Sequence, residues 1–249
     1  MDDMRIIDSH GHYMALPYFK KSIEEELIAI MDKVKIDMLA LMPYEGLYKD
    51  PKEEHDKIYN AYKKFPNRFI PFATANPYNG IEALNELERA FGIMKLKGLK
   101  LHPIVQSFSP CNPIVYPFIE KAIEYDVPIL FHTGDPVYGM PFQLCELARE
   151  YKEATIIMGH MGLGEYWYDA IRSAEKADNI YLDTTGCRYK IAIEKAIKKI
   201  GANRILYGSD MPFLSVELEL KKVLSLNISK RELELILYEN AAKIFKIKI

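Results

Sequence analysis

Ile129-Leu-Phe-His-Thr-Gly134 and Ile156-Ile-Met-Gly-His-Met-Gly162 decide the fold. Each is an apolar run too short for a helix, stopped by a histidine and a glycine turn. Runs without polar alternation are strands covered on both faces, as in a parallel sheet flanked by helices. Working outward, the same unit recurs at 5–9, 38–42, 68–75, 98–102, 128–132, 155–160, 180–184 and 204–209. Helical patterns lie between the runs, at 22–33, 81–95, 116–125 and 191–200. In 81–95, Leu84, Leu87, Phe91 and Met94 return at three- and four-residue steps, which marks one buried face. Taking the strand ends at 12, 42, 75, 102, 132, 160, 184 and 210, the spacings run from 24 to 33 residues. Eight even βα units predict a TIM-type (β/α)8 barrel, and 249 residues matches the usual size of one. An open doubly wound sheet would also alternate, but eight even units favour closure. The chain reads as a single domain over 1–249, with extra C-terminal helices at 230–237 and 239–245 expected on the barrel's outside.

Composition narrows the function. The net charge is −2, with 27% charged residues, which argues against a nucleic-acid partner. No basic segment leads into an apolar stretch, and no apolar run reaches about 18 residues, so neither a signal peptide nor a membrane span is expected. Cys111, Cys145 and Cys187 lie far apart and read as reduced, structural thiols of a cytoplasmic protein. The expected partner is a small molecule, and a homodimer is left open.

Five of the six histidines, His10, His12, His102, His132 and His160, stand at or just past a strand end. That is the barrel face that carries active sites. The sixth, His55, lies in a charged run and reads as a surface residue. In Asp8-Ser-His-Gly-His12, His10 and His12 are two apart on a strand and can aim the same way, with Gly11 allowing close backbone approach. Imidazoles so placed can share a metal ion. In Ile205-Leu-Tyr-Gly-Ser-Asp210-Met-Pro212, Asp210 could cap the next helix. Closure, however, sets strand eight beside strand one, where Asp210 can ligate a metal and take a proton from its water. In Gly98-Leu-Lys-Leu-His-Pro103, Lys100 and His102 share a face. Lys100 has three competing readings: anchoring a substrate carboxylate, bridging two metals once carbamylated, or pairing with a structural acid. His102 reads as substrate-facing or as supporting a ligand. Tyr44, Glu45, Tyr138, Glu165, Trp167 and Arg188 lie on loops near the mouth, and Asp8 reads as a strand-end residue rather than a catalyst.

Together these residues resemble the amidohydrolase superfamily, and more narrowly its amidohydrolase-related group that includes aminocarboxymuconate-semialdehyde decarboxylase. The strand-four and strand-eight segments just quoted, and Tyr238-Glu-Asn-Ala-Ala-Lys-Ile-Phe245, resemble that group's signatures. The resemblance implies one divalent ion, zinc first with manganese or iron as alternatives, held by His10, His12, His132 and Asp210. It leaves His160 as a catalytic or substrate-orienting residue, or a ligand of a second ion. Lys100 stands where the superfamily's TatD-like nucleases carry a glutamate, which argues against a two-metal nuclease. One barrel and one ligand set serve several reactions. The first expectation is a hydrolase cleaving an amide, ester or lactone of a small anionic substrate. Asp210 would shuttle the proton, His160 would steady the oxyanion, and Lys100 and His102 would hold the substrate. The alternative is a nonoxidative decarboxylase, and the second alternative a non-catalytic binding barrel.

Overall fold

Each expected apolar run becomes a strand in a computed structural model of the chain, which describes residues 4–247. The strands are β1 (Ile7–Tyr13), β2 (Met38–Pro43), β3 (Phe69–Thr74), β4 (Gly98–Leu101), β5 (Ile129–His132), β6 (Ile156–Gly159), β7 (Ile180–Asp183) and β8 (Ile205–Leu206). They pair in parallel in sequence order, β1 through β8. Past β8 the chain bonds back to β1. The Ser9 N–H donates to the Tyr207 carbonyl (2.9 Å), Asp210 N–H to that of His10 (2.7 Å) and His12 N–H to that of Met211 (2.7 Å). The result is a TIM-type barrel in a single domain, and Asp210 does lie beside the two histidines. Of the expected span 1–249, the first three and last two residues fall outside those described.

Helices α1 (Ile23–Val34), α2 (Lys52–Lys64), α3 (Gly80–Glu88), α4 (Tyr116–Glu124), α5 (Pro141–Glu150), α6 (Trp167–Lys176), α7 (Lys190–Ile200) and α8 (Val216–Leu224) surround the strands. Strand alternation divides the core. Leu99, Leu101, Ile129, Phe131, Ile156 and Met158 point outward into the layer shared with the helices. Ile70, Phe72, Leu130, Ile157 and Leu206 fill the barrel. Lys100, lying between outward-facing Leu99 and Leu101, is thereby committed to the interior. None of the helices among the described residues is long and apolar enough to cross a membrane.

Four expectations need correction. β1 runs on through Tyr13 instead of stopping at residue 9. Asp8 pairs with Leu39 but Gly11 with Leu41, so β1 carries one extra residue there. Such a bulge re-aims the side chains around it. A Cβ on Gly11 would lie 2.5 Å from Leu39 Cδ1, so this close approach requires glycine. β8 is only two residues long; past it the Tyr207 N–H turns to the Ile236 carbonyl, and Tyr207, Asp210 and Met211 bond to β1 one at a time. Of the tail, α9 (Lys230–Glu234) lies outside as expected, with Leu233, Ile236 and Leu237 in the outer layer, but α10 (Asn240–Ile244) does not. Tyr238, Ala241, Ala242 and Phe245 join the barrel-filling residues and close the end where the strands begin. His55 is no surface residue: it is fully buried, with Nδ1 2.7 Å from Glu86 Oε1 and Nε2 accepting the Thr74 N–H at 3.0 Å. Its helix α2 hides a buried stripe of Glu54, His55, Ile58 and Ala61 beneath surface charge.

Candidate active site

The strand ends converge the expected residues on one small volume. His12 Nε2 lies 3.1 Å from Asp210 Oδ1, and His10 Nε2 lies 3.6 Å from it. The His160 ring centre is 4.8 Å from that of His10 and 4.5 Å from that of His132. His102 stacks on His132 at 3.9 Å. The Lys100 Nζ reaches within 3.1 Å of His10 Nε2. His132 turns Nε2 toward Asp135 Oδ2 at 2.8 Å. Asp210 does not cap the next helix, since Ser215 accepts the Leu218 N–H there. Both His160 (φ 68°) and Asp210 (φ 62°) hold left-handed backbone, which costs a non-glycine residue about 1–2 kcal/mol. Backbone strain of this kind gathers at functional sites.

Two acids frame these side chains: Asp183, missed in the sequence, and Asp8, a strand-end residue as expected. Asp183, at the end of β7, is fully buried, and its Oδ2 lies 2.8 Å from His10 Nδ1. Its Oδ1 accepts the N–H groups of His160 (2.7 Å) and Thr185 (3.1 Å). A carboxylate on Nδ1 fixes the imidazole with its Nε2 lone pair facing the site, the arrangement that prepares a histidine for a metal. The signal was there: an acid ending an otherwise apolar strand, level with the histidines. Asp8 accepts the N–H groups of His10 (3.1 Å) and Ser209 (2.9 Å), stitching β1 to the segment after β8.

Electrostatics follow from burial. Dehydration holds His10 and His160 well below the ordinary imidazole range, and neighbouring Lys100 and His132 respectively deepen the effect. His102 is lowered the same way, by burial first and then by His132. These rings are neutral and offer lone pairs. Burial also brings the Lys100 ammonium down to about 8, against the pull of Asp210 and Asp183. For Asp210, burial works upward but is outweighed by the His12 hydrogen bond and the electrostatic influence of the surrounding His10, His12 and His160 rings, so its carboxyl lies well below the usual range.

The mouth is a cleft of about 270 Å³. Lys100, His102, His132, His160 and Asp210 line its inner part; Tyr44, Leu47, Tyr48 and Phe213 wall its outer part beside His12. Tyr44 and Phe213 rings lie 5.1 Å apart, and Phe213 lies 5.3 Å from His12. Of the other loop residues considered, Trp167 packs against the outer core under Lys195, and Glu45 pairs with Lys49. Tyr138, Glu165 and Arg188 are not among the lining residues.

The donor set fits a divalent cation. Among the described residues, one ligand atom each from His10, His160 and Asp210 lies within 4.8 Å of the others. The buried Nδ1 atoms of His12, His102 and His160 have no hydrogen-bond partner, a state that costs about 1–3 kcal/mol per atom unless a ligand relieves it. Neutral imidazoles with a carboxylate suit zinc, iron or manganese and do not select zinc.

A sequence model of the family described as amidohydrolase matches residues 7–247. A γ-resorcylate decarboxylase from Polaromonas sp. (strain JS666) is 24% identical, over 98% of this chain and 86% of its own length. Among solved structures, a putative amidohydrolase from Staphylococcus aureus superposes with a TM-score of 0.83 at 20% identity, covering 98% of this chain and all of that one. A dihydroxybenzoic acid decarboxylase from Polaromonas sp. JS666, with bound manganese and the inhibitor 2-nitroresorcinol, superposes with a TM-score of 0.76 at 18% identity, covering 98% and 97%.

Proposed function

The chain belongs to the amidohydrolase family, and on that premise we propose that it is a divalent-metal-dependent decarboxylase of a small hydroxylated aromatic acid. The carrying observation is the pocket's division: a buried cation, a carboxylate and neutral imidazoles at its floor, with Tyr44, Tyr48 and Phe213 as an aromatic wall. A flat ring bearing a carboxylate and phenolic oxygens matches both halves. The decarboxylase relatives support this reaction over the hydrolysis placed first from the sequence, and the manganese-bearing neighbour supports manganese as the ion over zinc.

The reaction is balanced without water or oxidant. A proton adds to the ring carbon that bears the carboxylate, the carbon–carbon bond breaks, its electron pair returns to the ring, and CO2 leaves. Lys100 presents a positive charge from the floor of the cleft to the substrate's anionic oxygens. Asp210, bonded to His12, is the residue assigned to hold and deliver the proton. His160, with Nδ1 unpartnered, orients a substrate oxygen, and Asp183 keeps His10 and the His160 backbone in place. We assign His10, His12, His132 and Asp210 to the ion, His132 after its Nε2 leaves Asp135. When bound, a divalent ion supplies Lewis acidity toward the substrate's carboxylate and phenolate oxygens.

The test is to supply γ-resorcylate, related hydroxybenzoates and a panel of lactones and esters to manganese-loaded protein. The expected result is CO2 from a hydroxybenzoate, lost on chelation and restored by manganese. Ester or lactone hydrolysis with no CO2 from any acid would sink the proposal.

A further inference from the structure

The aromatic wall depends on a loop that a single buried acid holds down. Tyr44, Leu47 and Tyr48 all lie between β2 and α2, and all line the cleft. Glu54, in the first turn of α2, is 5% exposed and turns back under this loop. Its Oε1 accepts the N–H groups of Tyr44 (3.0 Å) and Glu45 (3.2 Å), and its Oε2 accepts that of Gly46 (2.6 Å). Gly46 leaves a side chain little room, because a Cβ would lie 3.0 Å from Glu54 Oε2 and from Pro51 Cβ. Three successive backbone donors thus converge on one carboxylate, and charge-assisted bonds of this kind are roughly twice as strong as neutral ones. The two rings held above it meet edge to face at 5.4 Å, and Tyr44 also lies 6.2 Å from His12. Hydrogen bonding to Tyr44 comes first, then burial, in pushing the Tyr48 hydroxyl up to about 12.

We infer that Glu54 is a positioning residue for the substrate ring, holding Tyr44 and Tyr48 as the wall against which that ring lies. The inference rests on the aromatic-acid reading above. It assigns Glu54 to substrate fit and not to the metal or the proton transfer, since its contacts end at the loop backbone. Aromatic pairing contributes about 0.5–1.5 kcal/mol beyond burial, so displacing the wall should weaken ring binding about twofold to tenfold.

The test is Glu54→Gln in the full-length, manganese-loaded protein, with the Kd of 2-nitroresorcinol measured by calorimetry alongside KM, kcat and metal content. Expected are parallel rises of about twofold to tenfold in Kd and KM, with kcat and manganese stoichiometry held. The rise should vanish when Glu54→Gln is combined with Tyr44→Ala and Tyr48→Ala, because the acid acts through those rings. An unchanged Kd in folded Glu54→Gln, or an equal rise with and without the tyrosines, would overturn the inference. Glu54→Asp, which keeps the charge but shortens the reach, gives the same readout should Glu54→Gln fail to fold. Wild-type protein that binds 2-nitroresorcinol yet releases no CO2 would defeat the functional reading while the Kd comparison still judges Glu54. Absence of any 2-nitroresorcinol binding would overturn the ring wall itself.

Discussion

Replacing Asp183 with Asn changes a single buried group and should be felt mainly by the metal. The Asn carbonyl can keep the Oδ1 contacts, accepting from His160 N–H and Thr185 N–H at 2.7 and 3.1 Å. The amide NH2 then stands where Oδ2 was, 2.8 Å from His10 Nδ1, and a donor faces a donor. To relieve this, His10 must shift its proton to Nε2, the nitrogen assigned to the ion. The lost charged hydrogen bond amounts to about 1.5–3 kcal/mol, equivalent to a tenfold to hundredfold weaker manganese Kd. Loss of a carboxylate supporting a metal-bound histidine has effects of that size elsewhere. Titration calorimetry of manganese into chelator-treated wild type and Asp183→Asn, with melting curves to confirm folding, measures it directly. A folded variant with wild-type manganese affinity would refute the role given to Asp183.

Three further outcomes follow. His132→Ala should fold but lose its metal, whereas His160→Ala should keep the metal and lose at least about a hundredfold in turnover; elemental analysis and kinetics decide, and the reverse pattern would exchange the two roles. Lys100→Met, of similar length and without charge, should raise KM for the carboxylated substrate by about tenfold or more; an unchanged KM in steady-state kinetics would remove Lys100 from substrate binding. Away from the site, burial acts to raise the Glu86 carboxyl, but hydrogen bonds from His55 and Arg89 outweigh it and bring it to about 2. A depressed carboxylate stabilises the fold above its unfolded value near 4.5, and that contribution is lost as pH falls toward 2. Acid-unfolding curves should therefore show wild type losing stability in this window while Glu86→Gln shows a shallower dependence.

The architecture was legible because apolar strands, glycine stops and even spacing all report the same parallel packing. Lys100, His132 and Asp210 could be aimed inward from strand alternation and closure alone. The misreadings share a cause: a polar residue was judged by its sequence neighbours, although burial is decided by distant ones. His10 and His12 were read as strand residues two apart, and β1 does carry them, but the bulge that sets their aim, with Gly11 and His12 paired to Leu41 and Met42, left no mark in the sequence. His55 and Glu54 sit in a run of charges, but α2 turns that pair inward while its lysines face water. The tail's apolar face promised packing and could not say against what; the open end of the barrel was the larger unburied apolar surface. Asp183 ended a strand already counted as core, and only its 173-residue separation from His10, closed by the barrel, gave it meaning.

The most direct test of the account is a product analysis in D2O. Manganese-loaded protein, γ-resorcylate and a chelated control would be followed by carbonate capture and proton NMR of the aromatic product. Protonation at the carbon that lost its carboxylate predicts one CO2 per product molecule and one solvent-derived deuterium at that ring position, with neither in the control. CO2 without metal dependence, or an unconsumed aromatic acid alongside hydrolysis of lactones or esters, would contradict a metal-dependent decarboxylase.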